Sequence, residues 1–168
     1  MPTVLKIFSV SILLLFFSQS STAQFYSEYK TSIGARFGSP YAAVTYKTFL
    51  SDRNAVEFYI GYRDFANASW VSVSGAYQRH YSLDKITEGL LGYFGAGPSM
   101  YFWSFDANFT GLETNTTMGA NAYIGFDYRL PSTNFAVSID WVPVYFFGGL
   151  NDGFSWDYGG VGVRYVLK

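Results

Sequence analysis

The feature of this sequence that most constrains its fold is an alternation of apolar and polar residues along most of its length. Phe58 and Ile60, for example, occupy apolar positions of this alternation, whereas Glu57 occupies a polar position. Similar alternation occupies residues 30–37, 71–78, 120–129, 135–141 and 160–167. A period of two is typical of β-strands whose two faces lie in different environments. The sequence therefore predicts an all-β protein.

Turn signals divide the alternating segments into eight strands. Clusters of Gly, Pro, Asn, Asp and Ser favour turns, and they occur at residues 38–40, 51–54, 66–69, 84–89, 106–115, 131–134 and 148–157. The predicted strands are 28–38, 41–50, 54–64, 69–82, 89–104, 116–130, 134–146 and 157–167. Short connections alternate with longer ones, and a tilted strand needs roughly 9–11 residues to cross a bilayer. We therefore expect an eight-stranded antiparallel up-and-down transmembrane β-barrel.

The fifth predicted strand departs from this alternation, because it is apolar at odd and even positions alike. It contains Gly95, Gly97 and Pro98. Glycine and proline within a strand suggest a bulge or a kink, and we expect one here.

The first residues have the features of a secretory signal peptide. Lys6 precedes the apolar stretch 7–17, and small residues lead to Ala23. This order of charged, apolar and small-residue regions is typical of an exported chain, and the apolar stretch is too short to span a bilayer as a helix. We expect residues 1–23 to be a cleaved signal peptide and residues 24–168 to form the barrel domain. Because the sequence contains no cysteine, neither a lipoprotein anchor nor a disulfide framework is expected.

The polar positions of the strands carry charged residues, and their placement decides between two kinds of barrel. They are Arg36, Lys47, Glu57, Arg63, Asp127, Arg129, Asp140 and Arg164. On a soluble ligand-binding barrel, which is the alternative, they would face water. The same positions are also rich in Gly, Ser and Ala, which suits the narrow interior of an eight-stranded barrel. We predict that these eight residues form a structural polar network inside the barrel. The expected ion pairs are Glu57 with Arg36 or Arg63, and Asp127 or Asp140 with Arg129 or Arg164.

Aromatic residues, which make up 21% of the chain, bunch at the ends of the predicted strands. Rings of Tyr, Trp and Phe around an aliphatic band are typical of membrane interfaces. One predicted ring contains Phe37, Tyr41, Phe65, Trp70, Tyr101 to Phe105, Tyr145 to Phe147, Trp156 and Tyr158; the other contains Tyr81, Tyr128, Phe135 and Tyr165. The rings favour an apolar exterior that faces lipid.

Several short motifs resemble those of a known family. They are Gly95-Ala96-Gly97-Pro98, Asp140-Trp141-Val142-Pro143 and Gly160-Val161-Gly162-Val163-Arg164-Tyr165. With the signal peptide and the alternation, they make the region after residue 23 similar to the small OmpA/OmpX-like outer-membrane β-barrels, and within them to the group known as the outer membrane protein beta-barrel domain. The resemblance implies a bacterial outer-membrane location and insertion by the barrel-assembly machinery.

The chemistry-bearing residues are few. One His and no Cys exclude a zinc site of the usual kind, and neither a calcium-loop nor a phosphate-binding glycine motif occurs. We therefore expect no metal, no cofactor and no catalytic residue. The alternative is a lipid A-modifying hydrolase that uses His80 and Ser82, because lipid A deacylases are eight-stranded barrels that pair a His with a Ser two residues later. The position of His80, close to the predicted periplasmic end of its strand, argues against that alternative.

The charge balance limits the partners. The chain has 11 basic and 12 acidic residues and no basic block, so nucleic-acid binding is not expected. We expect a non-catalytic outer-membrane barrel with a structural or surface-interaction role and an interior plugged by polar side chains. Its expected partners are outer-membrane lipids, lipopolysaccharide and an extracellular partner at the outer loops, where Phe109, Leu112, Phe154 and Trp156 are apolar.

Overall fold

Ten antiparallel β-strands build the part of the chain that the computed structural model describes, namely residues 29–64, 68–105, 115–148 and 152–167. The strands are β1 Thr31–Ser39, β2 Ala42–Phe49, β3 Asn54–Asp64, β4 Ala68–Ser82, β5 Leu90–Phe105, β6 Asn115–Arg129, β7 Phe135–Trp141, β8 Val144–Phe147, β9 Gly153–Ser155 and β10 Gly159–Leu167. The predicted signal peptide, residues 1–23, lies outside the described residues, and so do Phe65, Phe109 and Leu112.

The strands close into a barrel. β5 pairs with both β4 and β6, and β1 pairs with both β2 and β10, so that the sheet has no free edge along its main strands. β6 pairs first with β8 and then with β7, which makes β8 and β7 two halves of one barrel strand. β9 pairs with β8 and β10 pairs with β7, so β9 and β10 are likewise two parts of one barrel strand. The fold is therefore the expected closed eight-stranded antiparallel barrel, with no helix among the described residues.

The interruptions of the last two barrel strands were not expected from the sequence. Between β7 and β8, Val142 donates its backbone N–H to Tyr158, at 2.8 Å, and the carbonyl of Pro143 accepts from Ala122, at 2.9 Å. Proline has no N–H to continue a ladder of hydrogen bonds. The regular pairing therefore stops at Val142 and Pro143 and resumes at Val144.

The two ends of the barrel differ in their connections. We call the end with the connections 50–53, 83–89 and 130–134 the turn end, because backbone hydrogen bonds close these connections: Leu50 to Asn54, Leu83 to Leu90 and Leu130 to Phe135. We call the opposite end the loop end. It holds the short connection at Pro40 and Tyr41 and the connections that include residues 65–67, 106–114 and 149–151.

Of the bulge or kink expected in β5, the bulge is absent. The register with β4 passes from the pair Ser74–Ser99 to the pair Tyr77–Ala96 without an extra residue on either strand. The register with β6 is continuous through Gly97 and Pro98. Gly97 instead allows a close approach of two strands, since a Cβ there would overlap the carbonyl oxygen of Gly75. The glycine is needed for strand spacing, and the strand contains no inserted residue.

The alternation sorts the side chains onto two faces, as the sequence indicates. Ile60 is 60% exposed and Ile124 is 53% exposed on the outside, whereas Glu57 and Asp127 are each 1% exposed inside the barrel. The outward face is aliphatic and aromatic, and the inward face is polar and aromatic. Within the described residues, no helix is long and apolar enough to cross a membrane.

Candidate functional site

The charged interior of the barrel is the candidate functional site. Six of the eight residues expected there are buried: Arg36, Lys47, Glu57, Asp127, Asp140 and Arg164. They comprise three cations and three anions. The other two, Arg63 and Arg129, are half-buried near the loop end and the turn end respectively. The buried charges therefore balance, as they must where water cannot solvate them.

Four of these residues form one network in which two cations face two anions. Lys47 Nζ lies 2.8 Å from Asp127 Oδ2 and 3.7 Å from Glu57 Oε2. Arg164 lies between the same two carboxylates, with Nη1 3.2 Å from Glu57 Oε1 and Nη2 2.6 Å from Asp127 Oδ2. The four side chains come from β2, β3, β6 and β10, so the network links strands on all sides of the barrel.

Neutral side chains complete this network. Tyr29 donates its hydroxyl hydrogen to Asp127 Oδ2, at 2.9 Å, and Gln78 Nε2 donates to Glu57 Oε2, also at 2.9 Å. Arg164 Nη1 also donates to Ser138 Oγ, at 3.1 Å. Hydrogen bonds to ionised groups are about twice as strong as those between neutral groups. Each carboxylate is therefore held by donors from several strands.

A separate ion pair joins Arg36 on β1 to Asp140 on β7. The guanidinium Nη2 contacts Asp140 Oδ1, and Nε donates to the same oxygen at 3.1 Å. Tyr93 donates its hydroxyl hydrogen to Asp140 Oδ2 at 2.8 Å. The Arg36 guanidinium also lies 5.5 Å from the ring centroid of Tyr41, within the range of a cation–π contact.

The pairing differs from what the sequence suggested for Glu57. The expected partner of Glu57 was Arg36 or Arg63, but Lys47 and Arg164 contact its carboxylate. Arg36 is paired with Asp140 instead. The expected alternatives for the two aspartates included Arg164, which does contact Asp127.

Part of the predicted aromatic ring at the loop end points into the barrel. Tyr41, Trp70, Tyr101, Trp103, Phe146 and Tyr158 are buried in one interior cluster. Phe37, Phe102, Tyr145, Phe147 and Trp156 remain outside and exposed. The interpretation of one continuous ring was therefore wrong for half of its members. Parity along the strand carries the missing signal, because Trp70 shares its face with Ser72 and Ser74.

The barrel interior is filled along its length. The loop-end aromatic cluster reaches the stacked rings of Tyr59 and Tyr123, whose centroids are 5.3 Å apart. A second apolar cluster at the turn end contains Tyr29, Phe49 and Ala55. The charged network lies between these clusters, since Tyr29 contacts it from the turn end and Lys47 Nζ lies 4.8 Å from the ring centroid of Tyr93.

His80 and Ser82 do not form a nucleophile–base pair. His80 is fully buried, and its ring lies between those of Phe49 and Tyr93, at centroid distances of 4.8 and 5.2 Å. Ser82 donates its hydroxyl hydrogen to the carboxylate of Asp84, in the turn that follows β4. No hydrogen bond joins the imidazole to Ser82. A triad mechanism requires that bond, and the arrangement does not supply it.

In the described part of the chain, no three His, Cys, Asp or Glu side chains lie close enough together to hold a metal ion. An open cavity of about 400 Å³ lies at the loop end, with Trp70, Trp103, Phe146 and Tyr158 among its walls.

Two solved structures share this fold. The N-terminal β-barrel domain of Pseudomonas aeruginosa OprF superposes with a TM-score of 0.65 at 20% sequence identity, over 83% of this chain and 98% of that one. Neisserial surface protein A (NspA) superposes with a TM-score of 0.55 at 16% identity, over 82% of this chain and 94% of that one. No protein-family model and no curated protein sequence matches the chain. The expected resemblance to small outer-membrane barrels is thus confirmed at the level of the fold.

Proposed function

We propose that this protein is an integral outer-membrane β-barrel with a structural or surface-interaction role and no catalytic activity. The observation that carries the proposal is the inverted distribution of polarity. Aliphatic and aromatic side chains cover the outside, whereas six charged side chains are buried within. A soluble protein with so large an apolar exterior would aggregate. In a bilayer the same exterior contacts hydrocarbon, and closure satisfies the backbone hydrogen bonds.

The orientation follows from the two ends of the barrel. Outer-membrane barrels have short turns on the periplasmic side and longer loops outside. We therefore place the turn end in the periplasm and the loop end at the cell surface. The similarity of fold to the OprF barrel domain and to a neisserial surface protein supports the outer-membrane location itself. The expected lipid partners of the protein are then outer-membrane lipids and lipopolysaccharide. The barrel-assembly machinery would insert the protein into the membrane.

The filled interior supports a plugged barrel over a channel. The charged side chains are paired across the interior and are flanked by aromatic clusters on both sides. Eight strands enclose little more than the side chains that fill them. Liposomes that contain the purified protein should therefore take up small sugars no faster than empty liposomes. Uptake at the rate of a wide porin would contradict the plug.

Fractionation of cells that express the full chain tests the location. We expect the protein in the outer-membrane fraction, with faster gel migration in unheated samples than in boiled ones, because a closed barrel resists detergent until it is heated. Recovery in the periplasmic or soluble fraction without a heat-dependent shift would overturn the proposal and favour the soluble ligand-binding barrel.

Mass spectra of lipid A test the absence of hydrolase activity. Cells with the protein, without it, and with Ser82→Ala should give the same acyl pattern, because Ser82 is bonded to Asp84 and not to His80. A loss of acyl chains that depends on the wild-type protein and disappears in Ser82→Ala would favour the lipid A-modifying alternative.

A further inference from the structure

The loop-end cavity combines an aromatic floor with a charged rim. Its volume is about 400 Å³, which lies within the range of about 300–1,000 Å³ that small-molecule sites occupy. Its aromatic walls include Trp70, Trp103, Phe146 and Tyr158, and the polar ones are Arg63, Asp152, Ser155 and Asp157. Small-ligand sites combine aromatic side chains with polar groups that orient the ligand, and this cavity offers both.

The indole of Trp70, one of the residues that line this cavity, lacks a hydrogen-bond acceptor. Trp70 is 1% exposed, and its Nε1–H has no partner among the residues that the structure describes. Two other indoles of the protein contrast with it. Trp103 Nε1 donates to Thr117 Oγ1 at 3.2 Å, and Trp141 Nε1 donates to the backbone carbonyl of Trp156 at 2.8 Å. A buried donor without a partner is unfavourable, and an oxygen in the cavity would satisfy it.

The position of Trp70 is fixed by its neighbours. Its ring contacts those of Tyr41, Tyr101 and Trp103, at centroid distances of 5.2, 5.1 and 6.3 Å. A donor held in place before binding loses little freedom when a ligand arrives. The indole is therefore preorganised to donate to an acceptor in the cavity.

Charged side chains of both signs line the cavity, namely Arg63, Asp152 and Asp157, so a ligand of either single charge would meet a like charge there. The two carboxylates retain acceptor capacity, since each can accept about four hydrogen bonds. Gly148 N–H donates to Asp152 at 3.2 Å, and Ser155 donates its hydroxyl hydrogen to Asp157. A ligand with several hydroxyl groups can donate to these carboxylates and accept from Trp70.

We propose that the loop-end cavity binds a neutral saccharide unit. The apolar face of a sugar ring would pack on the aromatic walls, its hydroxyl hydrogens would be donated to Asp152 and Asp157, and a hydroxyl oxygen would accept from Trp70 Nε1–H. A saccharide would be the ligand in the surface-interaction role proposed above. The exposure of the cavity to glycans rests on the proposed placement of the loop end at the cell surface.

Titration followed by nuclear magnetic resonance tests the site directly. The full chain is labelled at its indole nitrogens and purified in an amine-oxide detergent, because maltoside and glucoside detergents carry sugar headgroups. The probes are the methyl glycosides of glucose, galactose, mannose and N-acetylglucosamine. We expect at least one of them to shift the Trp70 indole signal in a saturable way. The Trp141 signal should stay unchanged, because that indole is bonded to Trp156 on the outside of the barrel.

Variants separate binding from folding. Trp70→Phe should abolish the glycoside-dependent shift of the Trp103 indole signal, which also belongs to the cavity wall, with Trp141→Phe as the matched control that keeps it. Since a buried tryptophan can be needed for folding, Asp157→Asn is the second variant. It should weaken binding about tenfold, the loss expected for one hydrogen bond to a charged group. Asp84→Asn is its control, because Ser82 bonds Asp84 at the turn end as Ser155 bonds Asp157 at the loop end.

Three results would overturn the assignment. The first is an unmoved Trp70 signal with all four glycosides on a protein that still shows heat-modified migration, which would mean that only solvent occupies the cavity. The second is a saturable shift with tetramethylammonium or sulfate and none with the glycosides. The third is equal binding by Asp157→Asn and Asp84→Asn. The titration does not require a membrane, so the site and the outer-membrane location can fail separately.

Discussion

Lys47 on β2 and Asp127 on β6 meet across the full width of the barrel, with 2.8 Å between Nζ and Oδ2. Three barrel strands separate β2 from β6 in either direction around the wall. The two residues are 80 positions apart in the sequence. This contact therefore exists only when the barrel is closed, and it ties opposite walls together.

Removing one partner of this pair should destabilise the barrel strongly. Lys47→Met leaves Asp127 and Glu57 with Arg164 as their remaining contacting cation. Loss of one member of a buried ion pair typically costs about 3–5 kcal/mol. We expect a decrease of that size in the free energy of unfolding, measured by urea titration in lipid vesicles with tryptophan fluorescence.

A double variant distinguishes pairing from a general loss of packing. Asp127→Asn together with Lys47→Met restores the charge balance of the interior. We expect it to be less destabilised than the sum of the two single variants, as for residues in one network. Strictly additive losses would show that Lys47 and Asp127 do not stabilise each other.

Two glycines on neighbouring strands should respond differently to the same substitution. A Cβ at Gly97 on β5 would overlap the carbonyl oxygen of Gly75, whereas a Cβ at Gly75 on β4 would meet only the ring of Phe58, at 3.7 Å. We expect Gly97→Ala to lower the free energy of unfolding by about 1–3 kcal/mol, the usual effect of overpacking. Gly75→Ala is the control and should change it little. Equal effects of the two variants would contradict the strand spacing described here.

A lysine on the outer wall should destabilise the barrel only where the wall contacts lipid. Ile60 on β3 is 60% exposed, and Ile86 in the turn after β4 is 73% exposed. In vesicles, Ile60→Lys should cost about 2–4 kcal/mol, the range for a cation at the centre of a bilayer. Ile86→Lys should change the stability by less than about 0.5 kcal/mol, as surface substitutions usually do. If both variants unfold at the wild-type urea concentration, the outer wall does not face lipid.

The hydroxyl of Tyr93 should contribute to stability independently of its ring. It donates to Asp140 Oδ2 at 2.8 Å, whereas Tyr77, on the outer face of β4, is 53% exposed. Tyr93→Phe keeps the ring near Lys47 and removes the hydrogen bond to a charged group. We expect a loss of about 1.5–3 kcal/mol in unfolding titrations. Tyr77→Phe is the matched control, and a similar loss in both variants would show that the Asp140 contact is not the cause.

The face of each strand residue could be predicted from the sequence because alternation is a local property of the pleat. Glu57, Asp127 and Arg164 are buried and Phe58 and Ile60 are exposed, as their positions in the pattern indicate. The same reasoning applied to Trp70, which shares its parity with Ser72 and Ser74, places it inside. Residue type alone favours the outer ring for Trp70, and parity is the better guide.

Chain irregularities were harder to predict, because glycine and proline have several structural uses. Gly97 and Pro98 suggested a bulge, but Gly97 permits a close approach to Gly75 without any inserted residue. Pro143 interrupts a barrel strand that the pattern treated as continuous. Glycine and proline in the sequence mark where strand pairing can become irregular. Contacts with the neighbouring strand determine whether the result is a close approach of two strands or an interruption of one.

The sequence by itself determined the number of barrel strands and the side of the wall on which most side chains lie, since both depend on residues close together in the chain. Only the tertiary structure decided which charges meet. Glu57 lies against Arg164 and Lys47, and Arg36 lies against Asp140, because closure and register bring distant strands to the same level. The unpartnered indole of Trp70 was decided in the same way, because a cavity at the loop end forms only when strands from both halves of the chain surround it.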